Sequence, residues 1–464
     1  MNRRLLFWSA SQGAALVASL LIGGTARTTG SHDWLTFDWS ASRTGVNPYP
    51  TGITAGNVRS LKLRKVTLDG TVDSSPIYVH GLFVVTTTYG RTEAVDASSG
   101  AVRWRFTPPG YSSWAGSSQI TTAAPVADPT EKWIYAASPG GRIYKLSASS
   151  GHAAWSVSIT RLASREKIAA ALNYADGHVI ATTGGYIGDA PPYQGHVALV
   201  DGASGRLLHV WNSLCSNRAG LLVPSTCDAS DSAIWGRSGA VVDPSTGDLL
   251  VATGNAPWNG STNWGDAVLR LAPDASRIVG NYTPENTDQL NASDADLGST
   301  SPVVLDPGHL AQGGKDGHIR VLSVAAMRGT SPHKGGEVQV VSTPSGTDLF
   351  TAPAVWRTGS STWLVAADNG GTAAWRYRNG HLTPVWQHAT GGTSPVVAGG
   401  LLWVYDPNGG LNVYRPGTGA LVATLPAGAG HWNSPIVVDG HVALPEGNAN
   451  SHLTSGVLDI WSVR

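Results

Sequence analysis

A strand–turn–tryptophan unit in the first half of the chain limits the possible folds more than any other feature. Three short runs of strand-forming residues are followed by the turn Asp96–Gly100 and by a fourth run that carries Trp104. Asp and Gly suit such a turn, because the Asp side chain bonds nearby main-chain N–H groups and Gly accepts positive φ. The three runs are Ile77–Val79, Leu82–Thr88 and Arg91–Asp96. Four antiparallel strands in so short a stretch predict one blade of a β-propeller.

The same unit returns twice at intervals of about fifty residues, which is the sequence mark of a repeat architecture. The recurring positions are Ala94, Gly100 and Trp104 in the first unit, Gly151 and Trp155 in the second, and Gly205 and Trp211 in the third. Each Trp is expected to dock between neighbouring blades, where it buries a large apolar surface. Unrelated hairpins with similar turns are the alternative, but three units agree at several positions at once.

Later stretches keep the pattern in weaker form, and a small residue followed by Pro recurs where strands are expected to begin. Pro is tolerated there because the first residue of a strand needs no ladder donor. These pairs are Ser75-Pro76, Ala124-Pro125, Ser301-Pro302, Ala352-Pro353, Ser394-Pro395 and Ser434-Pro435. We therefore predict an all-β protein, an eight-bladed propeller of four-stranded antiparallel blades that occupies residues 31–464 as one domain with an insertion at 212–233.

The composition agrees with this fold and does not favour nucleic acid as a partner. The chain has 57 Gly, 27 Pro and 18 Trp, and only 13% of its residues are charged, which favours a turn-rich β protein over a helical repeat. Net charge is zero and no basic run is present, which argues against nucleic acid as a partner.

The N-terminus has the order of a secretory signal. Arg3 and Arg4 precede an apolar stretch, Leu5 to Ile22, and small residues follow it. We expect residues 1–30 to be a signal peptide or an N-terminal anchor, the protein to be secreted or extracytoplasmic, and no other segment to span a membrane.

The insertion at 212–233 holds both cysteines, Cys215 and Cys227. In an exported protein they are expected to form a disulfide, worth roughly 3 kcal/mol through the loop it closes. A redox-active pair is the alternative, but the two residues lack the close spacing of such motifs.

Several segments together resemble the pyrroloquinoline-quinone (PQQ) dehydrogenases and the wider superfamily of PQQ-like propellers. Gly52–Val58 is similar to the segment that leads into blade one of those enzymes, and Ala94–Gly100 with Trp104 is similar to their tryptophan-docking motif. The resemblance implies the propeller fold over nearly the whole chain. It specifies activity less, because the superfamily includes binding and scaffolding propellers.

The resemblance also implies a site. Asn255 matches a calcium ligand, Asp296 matches the base that also lies on the metal, and Trp235 matches the aromatic floor under PQQ. Lys315 falls where those enzymes hold a cation against the quinone oxygens. If the resemblance is set aside, the same residues are typical of ordinary turns and of a solvated acidic loop.

Two departures from the family divide the functional hypotheses. The adjacent Cys-Cys pair of many alcohol-oxidising members is absent, and Tyr186 stands where those enzymes place a calcium-binding Glu. The first hypothesis is therefore a non-catalytic propeller that binds a protein or a glycan. The alternative is a PQQ- and calcium-dependent oxidoreductase that acts on the CH–OH group of an alcohol or sugar.

Overall fold

The described strands form eight sheets, and each sheet is one propeller blade of four antiparallel strands. In one blade, the seventh, the two-residue strand Val46–Asn47 also pairs in parallel with the first strand, Val396–Ala398. The computed structural model describes residues 32–463. First strands of neighbouring blades contact one another, which places them around a common axis. The predicted fold, an eight-bladed propeller, is confirmed. The predicted signal peptide at residues 1–30 lies outside the described residues.

Blades one to four follow one another along the chain. Blade one has strands Ile77–Val79, Leu82–Thr86, Thr92–Asp96 and Val102–Phe106; blade two has Val126–Ala127, Trp133–Ser138, Arg142–Ser147 and Ala153–Ser158. Blade three has Asn173–Ala175, His178–Thr182, His196–Asp201 and Leu207–Asn212; blade four has Val241–Val242, Leu249–Ala252, Val268–Leu271 and Ile278–Tyr282. Between blades three and four, the predicted disulfide joins Cys215 to Cys227.

Blades five to eight complete the ring. Blade five has strands Val303–Asp306, His309–Gly313, His318–Ser323 and Gln339–Ser342; blade six has Ala354–Thr358, Ser361–Ala367, Thr372–Arg378 and His381–His388. Blade seven has Val396–Ala398, Leu401–Tyr405, Leu411–Tyr414 and Leu421–Leu425; blade eight has Ile436–Val438, His441–Glu446 and Gly456–Ser462, with Lys62–Leu68 outside them.

Helices are few and short. The α-helices are Tyr111–Trp114 and Thr287–Ala292, and the 3₁₀ turns are Val58–Ser60, Pro224–Thr226, Leu297–Ser299 and Ala449–Ser451. Within residues 32–463, none of the helices has the length and apolar character needed to cross a bilayer.

The ring is closed by a strand from the N-terminal part of the described chain. Lys62–Leu68 pairs antiparallel with Gly456–Ser462 along its whole length and supplies the outer strand of blade eight. Lys65 strengthens the seam, because its ammonium lies 2.8 Å from Glu446 and 3.0 Å from the buried carboxylate of Asp459. Residues from the two ends of the chain therefore share one sheet.

Neighbouring blades are joined by the repeated Trp. The indole N–H of Trp104 in blade one donates to the main-chain oxygen of Ala148 in blade two at 2.9 Å. A Cβ on Gly151 would lie 2.5 Å from the Trp104 ring, and one on Gly205 would lie 2.6 Å from the ring of Trp155. The Trp of one blade thus packs on the turn glycine of the next.

Blades six and seven repeat this contact, and blade one replaces the indole with an arginine. Trp386 of blade six packs on Gly419 of blade seven, although the sequence analysis did not identify that pair. Gly100 of blade one receives Arg64 of the closing strand in place of an indole, with 2.5 Å between a Cβ at that glycine and the Arg64 Cδ. Trp211 is 4% exposed and belongs to an apolar cluster shared by blades three and four.

The N-terminal segment also fills the axis of the ring. Its main-chain oxygens at Ala41, Thr44 and Gly45 accept hydrogen bonds of 2.8–2.9 Å from first strands of blades four, six and seven. Phe37 packs between Ala residues that precede the first strands of blades two, three and six. Arg43 is fully buried there. These residues form an axial plug, so the centre of the propeller is packed.

The chain direction defines two faces. The first strand of each blade begins on the top face, which also carries the loops between second and third strands. The bottom face carries the hairpin turns between first and second strands. Loops on the top face of different blades converge on the axis, above the plug.

The docking contact predicts a stability difference between two glycine variants. Gly151 and Gly81 both have positive φ, +71° and +81°, so an added Cβ strains the backbone at either position. Only at Gly151 does it also meet Trp104. We expect Gly151→Ala to lower the melting temperature by several degrees more than Gly81→Ala, measured by circular dichroism. Equal decreases would show that the Trp–Gly contact does not hold the blades together.

Candidate functional site

The top face brings together the four residues that the sequence analysis proposed for the site. Trp235 lies before the first strand of blade four, and Asn255 follows the second strand of that blade. Asp296 and Lys315 occupy the corresponding loops of blade five. Because blades four and five are neighbours, residues 80 positions apart in the chain meet beside the axis.

Asp296 is the centre of this group. Its carboxylate is 4% exposed, lies 2.7 Å from the Lys315 ammonium, and accepts a 2.6 Å hydrogen bond from the main-chain N–H of Asn255. Lys315 also reaches Asp294 at 3.0 Å. A Cβ on Gly254 would lie 2.6 Å from Asp296, so glycine is needed for this approach.

The pKa shifts of Asp296 and Lys315 follow from their burial and from their contact with each other. Burial raises the pKa of Asp296, and Lys315 and the Asn255 N–H partly offset that effect. For Lys315, burial lowers the pKa, but attraction to Asp296 and Asp294 outweighs it and the pKa is raised. Lys315 is therefore a firmly charged ammonium. An Asp already bonded to an ammonium and an amide is a weakened proton acceptor.

Asp266, in the loop after Asn255, carries a second perturbed carboxyl. It is fully buried, accepts a 3.0 Å hydrogen bond from the Leu297 N–H on one oxygen, and has no partner on the other. Burial, with a smaller contribution from Asp296, raises its pKa to about 8. The group is protonated at neutral pH, because an unpaired buried carboxylate is too costly.

Three aromatic side chains meet above the axis. Ring centroids lie 5.9 Å apart for Trp235 and Phe350, 5.7 Å for Trp235 and Trp432, and 6.1 Å for Phe350 and Trp432. The three rings precede the first strands of blades four, six and eight. We call them the aromatic triad. All three are half-buried, and the Lys315 ammonium lies 5.5 Å from the Trp235 ring.

Sequence reasoning found Trp235 but missed Phe350 and Trp432. A signal was present, because each aromatic residue stands two positions before a small–Pro pair, Ala352-Pro353 or Ser434-Pro435. The contact among the three rings could not be predicted from this signal, because it joins blades that are not neighbours in the ring.

The donor set around Asp296 does not fit calcium, which prefers six to eight oxygen ligands. The main-chain N–H of Asn255 donates to one carboxylate oxygen of Asp296, and the Lys315 ammonium contacts the other oxygen. Within residues 32–463, a group of three side chains that could hold a metal ion lies elsewhere, on the bottom face. It consists of Asp33, His80 and Glu131, whose ligand atoms lie within 4.8 Å of one another.

Tyr186, at the position of the family's Glu, does not supply the missing ligand. Its hydroxyl donates to the main-chain oxygen of Ala163 at 2.8 Å, and its ring packs near Tyr89 and Ile120. Asp189 accepts from the Tyr193 hydroxyl at 2.7 Å. The Asp189 carboxylate thus has a partner within its own loop.

The aromatic triad likewise does not fit a planar cofactor between its rings. Separations of 5.7–6.1 Å are those of aromatic rings in direct contact. Trp235 therefore contacts two rings and an ammonium where PQQ would need an open stacking surface. The predicted site residues Trp235, Asp296 and Lys315 converge and contact one another.

Comparisons with known proteins place the chain among relatives of quinoproteins. A family model described as outer membrane protein assembly factor BamB matches residues 90–283. The quinohemoprotein alcohol dehydrogenase ADH IIB of Pseudomonas putida is 26% identical over 364 residues, which are 70% of this chain and 50% of that protein. The dehydrogenase subunit of the quinone-dependent alcohol dehydrogenase of Gluconobacter oxydans is 25% identical over 57% of this chain and 40% of its own length.

Solved structures share the fold at lower identity. The quinohemoprotein alcohol dehydrogenase of Comamonas testosteroni superposes with a TM-score of 0.70 at 16% identity, over 93% of this chain and 80% of that one. BamB of Moraxella catarrhalis gives 0.54 at 12% identity, over 87% and 98%. The chain shares the β-propeller fold of these structures. It spans half or less of the length of the curated relatives it matches.

Asp266 predicts a pH-dependent contribution to stability. Its pKa is about 8 in the folded protein and near 3.9 in an unfolded chain, so between these values the folded state binds the extra proton. Its contribution to the free energy of unfolding then falls as pH rises, by up to about 1.4 kcal/mol per pH unit. We expect Asp266→Asn to lose that decline in urea unfolding between about pH 5 and pH 8.

Asp288→Asn, on the exposed surface of the helix Thr287–Ala292, is the control for removal of a carboxylate. It should keep the wild-type dependence on pH. If Asp266→Asn and wild type gave parallel profiles, Asp266 would titrate at an ordinary pKa.

Proposed function

We propose that this protein is a non-catalytic PQQ-like propeller that binds its ligand or partner at the aromatic mouth of the top face. The observation that carries the proposal is the state of Asp296. The residue that matches the catalytic base is held by Lys315 at 2.7 Å and by the Asn255 N–H at 2.6 Å, without the oxygen ligands that calcium needs.

The aromatic triad supports a binding role. Half-buried Trp and Phe rings on convergent loops give a large contact area at low entropic cost, and they are typical of binding surfaces. The rings stand on a rigid base, because the axial plug and the first strands beneath them are packed. We place the protein outside the cytoplasm, on the basis of its apolar N-terminal stretch and of its likeness to an outer membrane assembly factor.

One observation favours the alternative, a PQQ- and calcium-dependent dehydrogenase for an alcohol or sugar. Trp235, Asp296 and Lys315 converge from two blades, and the matched relatives are named as quinone-dependent alcohol dehydrogenases. If PQQ were bound there, it would supply the oxidant for hydride removal from a CH–OH group. The contacts described above would first have to separate.

A PQQ titration with and without calcium separates the two functions. We expect Trp fluorescence of the purified protein to show no PQQ binding that requires calcium, because Asp296 already has its partners. Asn255→Ala should behave as wild type. The matched control is Asn408→Ala, an exposed residue in the corresponding loop of blade seven.

The opposite outcome would establish the dehydrogenase. It consists of saturable, calcium-requiring quenching that is lost in Asn255→Ala and kept in Asn408→Ala. It should be accompanied by dye-linked oxidation of an alcohol or sugar.

A further inference from the structure

An acidic side chain from the N-terminal segment is held on the bottom face, between blades one and two. The segment runs between the first strands of these blades. Trp34 forms an antiparallel bridge with Tyr78 of blade one, and the Leu35 oxygen accepts a 2.8 Å hydrogen bond from the Ala127 N–H of blade two. Asp33, the residue before this bridge, therefore lies where the hairpin turns of the two blades meet.

Each of these two turns adds one further metal-ligating side chain. His80 lies in the turn between the first and second strands of blade one, and Glu131 lies in the corresponding turn of blade two. The His80 side chain is 58% exposed, the Glu131 side chain is 24% exposed, and the Asp33 side chain has no exposed surface. Three separate segments thus bring one imidazole and two carboxylates together at the surface.

The spacing of the three groups is close to that of ligands on one zinc ion. His80 Nδ1 lies 3.4 Å from Glu131 Oε2 and 3.8 Å from Asp33 Oδ2, and all three ligand atoms lie within 4.8 Å of one another. Tetrahedral zinc with bonds of about 2.0–2.2 Å holds its nitrogen and oxygen ligands about 3.3–3.6 Å apart. Only small side-chain adjustments would therefore bring the three atoms onto one ion.

The local hydrogen bonds and charges also suit a cation. The main-chain N–H of His80 donates to Asp33 Oδ2 at 2.6 Å, which orients this buried carboxylate towards the turn. Negative charge is concentrated here. Burial raises the pKa of Glu131, and the Asp33 and Asp128 carboxylates raise it further, although His80 opposes them. A divalent cation would offset the repulsion among the carboxylates.

We propose that Asp33, His80 and Glu131 bind a divalent transition-metal ion, with zinc as the best-matched ion. Zinc accepts imidazole and carboxylate ligands together, whereas calcium and magnesium take oxygen ligands. Because three protein ligands leave one tetrahedral position and His80 is exposed, water would complete the coordination. The bound ion would join the N-terminal segment to blades one and two. This site is on the face opposite to the aromatic triad and goes beyond the proposed binding function.

Zinc titration of the full chain tests the site. After removal of metals with EDTA, calorimetry should show saturable binding of one zinc ion per chain with a micromolar Kd. Calcium and magnesium should give no saturable binding in the same concentration range. Zinc should also raise the melting temperature, because the folded state binds it. Absence of saturable zinc binding, or calcium binding as tight as that of zinc, would overturn the proposal.

Variants assign the binding to these residues. His80→Asn and Glu131→Gln should each weaken zinc binding by at least about tenfold, since each removes one ligand. Asn suits the left-handed backbone of His80, whose φ is +50°.

His309→Asn is the matched control, on the same face of blade five. His309 Nδ1 lies 3.1 Å from Asp306, but within residues 32–463 this pair belongs to no group of three ligands. Zinc affinity should be unchanged in His309→Asn. Wild-type affinity in both His80→Asn and Glu131→Gln would contradict the proposal.

Asp33→Asn removes the third ligand, and circular dichroism checks that each variant folds. If Asp33→Asn does not fold, the variants of the two more exposed ligands still decide the outcome. The PQQ titration is a separate result. Calcium-requiring PQQ binding would overturn the non-catalytic function and leave the zinc site standing, whereas absence of zinc binding would overturn only the metal site.

Discussion

The pairing of Lys62–Leu68 with Gly456–Ser462 is the constraint on which the rest of the structure depends. A propeller blade has two exposed edges until its neighbours or its own outer strand cover them, and an unpaired edge is a site of misassociation. The outer strand of blade eight comes from the N-terminal part of the chain, just before blade one. It therefore fixes the first and last blades against each other. The contact of Lys65 with Glu446 and Asp459 lies on this seam.

Closure has a consequence for the site. With the ring shut, first strands of all blades face one axis, and the axial plug occupies the space that they enclose. Loops from blades four, six and eight can then touch one another directly above the plug, although they are far apart in sequence. The aromatic triad exists as a group only because of that convergence.

Asp296 and its contacts lie at the centre of the predicted site. The residues matching the family's base, stacking ring and cation are all on the top face and adjacent, but they form an ion pair and an aromatic cluster. A binding role is consistent with a fold that supports many functions on one scaffold. The sequence identified Trp235, Asp296 and Lys315, and the tertiary structure shows the ion pair and the ring contacts that they make.

Blade number and turn chemistry could be read from the chain because they are local. The turn glycine and the Trp recur at intervals of about fifty residues in the first three units, and each small–Pro pair marks the beginning of a strand, so nearby residues contain the signal. The disulfide between Cys215 and Cys227 was predictable for the same reason, since its two residues close a short loop. The tertiary structure alone decided the closing strand, the axial plug and the aromatic triad. Those features join segments from opposite ends of the chain or from non-adjacent blades, and their positions follow from closure of the ring rather than from any local pattern.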